Sequence, residues 1–271
     1  MHPSWAADVA ALGPWRTHPC GQAAEAASPS GPVRVLPACS STMDEAWRLA
    51  QAGDMPPFSS LVAASQEQGR GQLRRGWHSP PGNLYVSLAL PLLPSEAADV
   101  ASLLVGLAAS LALERLGAAT QVKWPNDLVT HEGKVGGILV EERAGRMIAG
   151  IGMNLVHLPP ASALRLGHAL PPALMPGMPE GFGPLRLWLA TLSGMVPILS
   201  MATAEGSTGK LLETLNERLA FKGKRVVVED GAERVEGRLA GLAGDGGLVI
   251  ERFGREGGRM TLYSGSICPI C

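Results

Sequence analysis

The order of hydrophobic and polar residues divides the chain into a long mixed region and a short C-terminal region of brief strands. In the mixed region, apolar residues alternate with polar ones or run together over about four to eight positions, which is typical of strands. Strands are predicted at Val33–Leu36, Leu61–Ser65, Asn83–Leu90, Val135–Val140 and Ile148–Val156.

Helical periodicity occurs between and after these strands. Helices are predicted from near Asp44 to Ala52 and at Ser95–Leu116, Leu185–Leu199 and Gly209–Leu219. Ser95 and Gly117 flank the longest of them in the positions of an N-cap and a C-cap. Pro197 is expected to end or kink the following helix, because proline lacks the amide hydrogen that a helix interior requires.

The composition changes at both ends of the chain. Residues 1–32 are rich in Ala, Pro, Gly and Ser, and we expect a loosely ordered arm. Strands predicted at Arg225–Glu229, Arg234–Ala243, Leu248–Glu251 and Arg259–Leu262 are separated by Gly-Asp turns. This pattern is typical of a small barrel. The sequence therefore indicates an arm, a catalytic region at 33–220 and a second small domain at 221–271.

Composition favours a globular protein of a reducing compartment. The 271 residues are 46% apolar with a net charge of −1, so any anion recognition must be local. The sequence lacks a long apolar run and a signal peptide, and we expect a cytoplasmic protein without a membrane partner. Of the four cysteines, Cys268 and Cys271 have redox-like spacing, whereas a frayed tail is the alternative interpretation.

The segment Gly69–Trp77, GRGQLRRGW, combines backbone freedom with cationic side chains. Its glycines allow bends, its three arginines present forked donors that match phosphate or carboxylate oxygens, and Trp77 offers a flat face. Two interpretations stay open from these residues alone. The segment closes over an anion, or it is a surface loop with weak RNA affinity.

A second polar block is Lys123-Trp124-Pro125-Asn126-Asp127. Pro125 cannot donate to a central ladder, so it should interrupt the strand and turn the neighbouring side chains into a cleft. The alternative is a surface bulge. After a predicted turn at His131-Glu132-Gly133, Lys134 opens an apolar strand, and a lysine there needs an anionic partner. Glycine pairs in this strand and the next one indicate close approach of a ligand or of another backbone.

Together these blocks resemble the bacterial biotin protein ligases of the biotin–[acetyl-CoA-carboxylase] type. The resemblance covers Val33 to Ile270 and rests on the loop, on VKWPNDLV at Val122–Val129, and on KVGGILVEE and IAGIGMNLV that follow. It implies an α+β fold, in which a mixed sheet flanked by helices, like the catalytic domain of class II aminoacyl-tRNA synthetases, precedes an SH3-like barrel. It also implies a ligase that forms a C–N bond and uses biotin, ATP and Mg²⁺.

The same resemblance nominates site residues by position. By this resemblance Lys134 and Arg70 supply electrostatic stabilisation, and Asp127 orients the incoming amine. The biotin-binding positions are Ser41, Thr42, Gln66, Gly69, Arg70, Gly71, Lys134, Gly137, Gly150 and Gly152. The positions for ATP and the adenylate are Arg70, Arg75, Trp77, Lys123, Asn126 and Asn154. Helix capping is the alternative role for Ser41 and Thr42.

Three residues depart from the family pattern. Met43 replaces the usual Asn, and Gln72 and Arg74 alter the order of the arginines in the loop. The loop, Gln66 to Trp77, is expected to be mobile without ligand and to close over biotinyl-adenylate. Because Gln72 removes one charge near the expected phosphate, closure should be weaker than in relatives.

The expected partner is a biotin carboxyl carrier protein of acetyl-CoA carboxylase or of another biotin-dependent carboxylase. No DNA binding is expected, since a 32-residue arm cannot supply a helix-turn-helix domain. Monomer and homodimer both remain open. Two alternatives stand beside the ligase: a lipoate ligase or octanoyl transferase of the same fold, and a degenerate, non-catalytic module that binds biotin.

Overall fold

Two β-sheets carry the architecture. The structure, a computed structural model, describes residues 5, 8, 16–17, 24–26, 30–72, 76–160, 170–253 and 257–270. Within these residues the chain forms a nine-stranded sheet and a five-stranded sheet, with helices packed on the larger one. The predicted α+β fold with a mixed sheet flanked by helices is therefore confirmed.

The larger sheet contains strands from the N-terminal arm as well as from the predicted catalytic region. They are β1 Arg16–Thr17, β2 Ala24–Ala26, β3 Val33–Leu36, β4 Ser60–Ala63, β5 Leu84–Ala89, β6 Gln121–Lys123, β7 Asp127–Val129, β8 Lys134–Arg143 and β9 Arg146–Met153. Their spatial order is β1-β2-β3-β4-β5-β9-β8-β7-β6. Only β3 and β4 pair in parallel among these neighbours, so the hairpin β8–β9 lies inside an otherwise antiparallel sheet.

The helices differ from the sequence prediction at two points. Their bounds are α1 Thr42–Gln51, α2 Ser95–Ala98, α3 Ala101–Arg115, α4 Pro184–Met201 and α5 Thr208–Glu217. The predicted long helix from Ser95 is broken after Ala98, and Pro94 occupies the N-cap position that we expected for Ser95. Pro197 does not end α4, because Met195 and Leu199 on either side of it are buried and hold the helix in the core.

The two faces of the large sheet are covered differently. Helices α3 and α4 bury one face, where Trp188 is fully buried and donates its indole N–H to Ser60 Oγ at 2.8 Å. By length and composition alone α4 would suffice to cross a membrane, but its side chains Leu187, Trp188 and Leu192 are packed in this core. Helix α1 covers only one end of the opposite face. The rest of that face is available for a site.

The C-terminal region forms the second sheet. It comprises β10 Arg225–Asp230, β11 Glu233–Leu242, β12 Leu248–Arg252, β13 Arg259–Leu262 and β14 Ser266–Pro269, all antiparallel in the order β13-β12-β11-β10-β14. The sequence did not predict β14. Ile267 and Cys268 are buried against β10, so the frayed-tail interpretation is wrong for these residues, whereas Cys271 lies outside the described part. Barrel closure and the SH3 likeness stay predictions.

The small sheet is attached beside the turn between β6 and β7. Trp124 donates its indole N–H to Gly246 O at 3.2 Å, and Asn216 Oδ1 accepts the Leu242 N–H at 3.0 Å. Buried residues of both sheets belong to one continuous apolar cluster. The boundary at residue 220 therefore divides a shared core, and a division into domains at this point remains a prediction.

The N-terminal arm contributes to the fold where the structure describes it. Trp5 is 1% exposed, and β1 and β2 extend the large sheet beyond β3. The buried carboxylate of Asp8 accepts backbone N–H groups from Gly183, Leu185 and Arg186 at the start of α4. An acidic side chain satisfies the unpaired amides of a helix N-terminus, so the arm caps a helix about 175 residues away in sequence.

Candidate functional site

Most of the predicted site residues line one face of the hairpin β8–β9. Strand side chains alternate, so Gly137, Leu139 and Glu141 share this face, with Gly152 and Gly150 opposite the first two on β9. The pairing of β8 with β7 shifts between Gly136 and Lys134, and Lys134 Cε lies 3.5 Å from a Cβ placed at Gly137, so the Lys134 side chain reaches the same face. We call this face, from Lys134 to Glu141, the trough.

Two lysines and one carboxylate form a cluster at the first end of the trough. Asp127 Oδ1 lies 2.5 Å from Lys134 Nζ, and Asp127 Oδ2 lies 3.0 Å from Lys123 Nζ. The side chains of Lys123 and Asp127 are 6% and 11% exposed, whereas Lys134 retains 31%. Burial raises the pKa of Asp127, but the two ammonium groups outweigh it and hold this pKa below its usual value. The cluster is net cationic, and Lys134 is its accessible member.

The turn around Pro125 produces this cluster. Pro125 interrupts the strand as predicted, and the chain reverses so that Lys123 on β6 pairs with Asp127 on β7. Asp127 in turn lies opposite Gly137 on β8. The surface-bulge alternative is wrong, because Lys123, Trp124 and Asp127 are all buried.

Two amides that were predicted to contact the adenylate have backbone partners instead. Asn126 Nδ2 donates to Ile138 O at 2.6 Å, and Asn154 Nδ2 lies 3.3 Å from Ala173 O. Both bonds connect neighbouring segments of the fold. These two amide groups thus hold neighbouring segments together, and their contact with the adenylate stays a prediction.

Trp77 fills the middle of the trough. A Cβ placed at Gly152 would lie 2.6 Å from Trp77 Cε2, and one at Gly137 would lie 3.0 Å from Trp77 Cζ3. The indole occupies the room that these two glycines leave in this structure, and their role in making space for the biotin bicycle stays a prediction. Lys134 Nζ lies 5.3 Å from the ring centroid, so tryptophan and lysine share one site. Gly150 instead faces Met43 Cε.

The N-terminus of α1 forms a polar pocket beside the indole. Gln66 Oε1 accepts from Thr42 N at 2.8 Å and from Thr42 Oγ1 at 3.0 Å, and Gln66 Nε2 donates to Ser79 Oγ at 2.9 Å. Gln66 therefore caps α1, and Ser41 makes no side-chain capping bond. Ser41 Oγ is buried without a hydrogen-bond partner among the described residues. Helix capping does not explain Ser41.

Backbone pairing closes the base of the Gly-Arg loop. Trp77 N donates to Gly69 O at 2.7 Å, and Arg70 and Gly76 form an antiparallel bridge. A Cβ at Gly69 would lie 2.4 Å from Trp77 O and 2.5 Å from Ser79 Oγ, so only glycine fits there. Gly71 follows the bridge, whereas Arg75 lies outside the described residues.

Arg70 lies at the far end of the trough from Lys134. Its Nη2 is 2.7 Å from Glu141 Oε1 and its Nη1 is 3.2 Å from Asp44 Oδ1. The two cations that we expected at one phosphate are paired with different carboxylates in this structure, and the role of Arg70 at the phosphate stays a prediction. Sequence reasoning missed Glu141 and Asp44. The signal for Glu141 was a charged residue directly after the strand predicted at Val135–Val140, where continued alternation would place it on the face of Gly137 and Leu139.

Unpartnered polar atoms lie beside the trough, whose middle is occupied by the Trp77 indole. Three buried donors or acceptors of predicted site residues have no partner in the described structure: Ser41 Oγ, Trp77 Nε1 and Arg70 Nε. Such atoms normally find a partner, so a ligand that supplies polar atoms along the trough fits them. In the described part of the chain no group of three or more His, Cys, Asp or Glu residues is arranged to hold a metal ion.

Comparison with known proteins gives this site a family. Residues 35–156 match the model of the biotin/lipoate A/B protein ligase family. The chain is 30% identical to the biotin–[acetyl-CoA-carboxylase] ligase of Paracoccus denitrificans over 240 residues, covering 80% of this chain and 92% of that protein. It is also 39% identical over 134 residues to the bifunctional ligase/repressor BirA of Salmonella typhimurium, covering 46% of this chain and 41% of that protein.

Solved structures agree with these sequence matches. A point mutant of the biotin protein ligase from Aquifex aeolicus, in complex with biotin, superimposes with a TM-score of 0.67 and 26% identity, covering 87% of this chain and 96% of that one. The chain spans only about two fifths of the length of the bifunctional relatives, but almost all of the Paracoccus ligase. On its fold, its site and these matches, the chain belongs to the biotin protein ligase family.

Proposed function

We propose that the protein activates biotin with ATP and transfers it to a lysine of a biotin carboxyl carrier protein. In the first step a carboxylate oxygen of biotin bonds to the α-phosphorus of ATP, and pyrophosphate leaves. In the second step the uncharged lysine amine bonds to the acyl carbon, AMP leaves, and the amine loses a proton. The product is an amide, so the enzyme is a C–N ligase.

One observation carries the assignment. The polar pocket of Ser41, Thr42 and Gln66 adjoins β5 at Ser87, which pairs with Gly150 on β9. The cationic cluster at Lys134 lies at the other end of the hairpin face, and the Trp77 indole lies between the two over Gly137 and Gly152. A ligand with a polar ring at one end and a phosphate at the other matches this order. The unpartnered Ser41 hydroxyl is suited to a ureido oxygen, which accepts hydrogen bonds.

Lys134 and Lys123 supply the electrostatic stabilisation in this proposal. Negative charge gathers around one phosphate in both steps, and a fixed cation opposite it stabilises the transition state more than the substrate. Asp127 directs both ammonium groups and keeps the buried Lys123 compensated. Mg²⁺ would arrive with the ATP phosphates and neutralise part of their charge.

The name of the Paracoccus relative supports the biotin carrier of acetyl-CoA carboxylase as the acceptor. We assign biotin and ATP chemistry to residues 33–220 and propose that the reaction takes place in the cytoplasm, without DNA or membrane as a partner. Of the solved structures, the Leishmania major ligase was determined with biotinyl-5-AMP, which supports the intermediate proposed here.

The test separates ligase from acyl transferase and from a non-catalytic module. Pyrophosphate release would be measured with ATP and either biotin, lipoate or octanoate, and carrier modification would be followed by streptavidin blotting. Of the three acids, we expect only biotin to support pyrophosphate release. The blot signal should be lost in Lys134→Ala. Release with lipoate or octanoate but not biotin would favour the acyl transferase, and binding of biotin without release would favour the module.

A further inference from the structure

Glu141 organises a second charged cluster at the end of the trough remote from Lys134. Its Oε1 accepts from Arg70 Nη2 at 2.7 Å, and its Oε2 accepts from Trp47 Nε1 and from Arg143 Nη2, both at 2.9 Å. The Arg143 guanidinium also lies 4.7 Å from the centroid of the Trp47 ring. One carboxylate thus connects β8, helix α1 and the Gly-Arg loop.

Arg70 is held in this cluster by two carboxylates. Asp44 on α1 takes Nη1 and Glu141 on β8 takes Nη2, so both ends of the guanidinium fork are occupied. An arginine paired in this way has its charge compensated and is fixed in direction. The remaining Nε is buried without a partner in the described structure.

Different counter-charges separate this guanidinium from the cluster at Lys134. Arg70 pairs with Glu141 and Asp44, whereas Lys134 pairs with Asp127. The polar pocket at Thr42 and Gln66, by contrast, belongs to the same end as α1 and the base of the loop.

We propose that Glu141 is a positioning residue for biotin binding, acting through Arg70. By holding Arg70 against α1 it fixes the base of the Gly-Arg loop, and with it the Gln66 amide and the Trp77 indole, before a ligand arrives. In this role Arg70 anchors the loop and is not a ligand of the transferred phosphate. The inference rests on the proposed ligase function and assigns a residue that the resemblance did not nominate.

A double-mutant cycle tests the pair. The variants are Arg70→Met, Glu141→Gln and their combination, and biotin KM and kcat for pyrophosphate release are measured at saturating ATP. We expect each single change to raise the biotin KM about three- to tenfold with kcat within about twofold, as for a partly exposed charge pair. The biotin KM of the double variant should be no higher than that of the more impaired single variant. Glu142→Gln is the matched control, since Glu142 is the adjacent exposed glutamate, and it should leave both constants unchanged.

Two results would overturn the proposal. If Arg70→Met lowers kcat at saturating biotin while Glu141→Gln leaves it intact, Arg70 acts at the phosphate. If the effects on KM multiply in the double variant, the residues act independently. Melting temperatures of the variants distinguish the proposed positioning role from general destabilisation. General destabilisation would lower the melting temperature without raising the biotin KM at constant kcat. Absence of pyrophosphate release from the unmodified protein would instead count against the ligase function itself.

Discussion

Lys134 Nζ and Asp127 Oδ1 lie 2.5 Å apart, so a buried carboxylate directs the accessible cation of the site. Because that cation faces developing phosphate charge in our proposal, it should act mainly in the transition state. We predict that Lys134→Ala lowers adenylate formation about 100-fold or more and weakens biotin binding by about threefold or less. Pyrophosphate release and calorimetry measure the two quantities, with Lys210→Ala on α5 as the control. Equal losses in both measurements would contradict this role.

Asp127→Asn should destabilise the fold at neutral pH, because Lys123 would stay buried without its counter-charge. Breaking a buried pair in this way costs about 3 to 5 kcal/mol. Folding lowers the pKa of Asp127. The stabilisation from its ionised carboxylate is therefore fully present above the unfolded-state pKa of about 3.9, and it is lost as the pH falls through the lower folded-state pKa. Urea unfolding of both proteins between pH 7 and 3 should therefore show a difference that shrinks below about pH 4.

The exposed Asp99→Asn is the control for this experiment, since it makes the same chemical change outside the cluster. Its unfolding free energy should follow that of the unmodified protein at every pH. A difference between Asp127→Asn and the unmodified protein that persists undiminished at pH 3 would show that charge pairing is not its cause.

The base of the Gly-Arg loop should resist hydrogen exchange even without ligand. The amide hydrogens of Trp77 and Gln68 are already bonded to Gly69 O and Ser40 O, at 2.7 and 2.8 Å. The sequence predicted mobility over the whole segment from Gln66 to Trp77. Because the amides at both ends of the segment are already bonded, we now expect ligand-dependent protection only for the residues between them. Exchange measured with and without biotinyl-adenylate checks this. Rapid exchange at Trp77 without ligand would show that the base is open.

Gln72→Arg should slow the escape of biotinyl-adenylate. The loop then carries an additional guanidinium, which pairs with phosphate better than an amide does. We expect a several-fold lower dissociation rate of the adenylate with little change in biotin affinity, measured by stopped-flow after rapid dilution. Gln68→Arg adds the same charge four residues earlier and should leave the rate unchanged. A faster release from Gln72→Arg would argue against a phosphate contact at this position.

Local sequence patterns predicted most of the strands and the blocks that carry the site, whereas the fold class was implied by the resemblance to the biotin protein ligases. Apolar runs predicted β3, β5, β8 and β9 to within a few residues, because a buried strand must be apolar over its length. The block around Pro125 and the lysine that opens β8 were expected to face a cleft with an anionic partner, and Asp127 is that partner.

The pairing of polar groups across the fold, by contrast, was visible only in three dimensions. Asp8 caps α4, Gln66 caps α1, and Glu141 holds Arg70, at sequence separations of 175, 24 and 71 residues. Side-chain pairing over such distances depends on strand order and register, which local periodicity does not encode. For the same reason the sequence nominated Arg70 and Lys134 together without indicating that Glu141 and Asp44 pair with Arg70. The sequence shows which polar and charged residues are present, but the order and register of strands in the sheet determine which of them pair with one another.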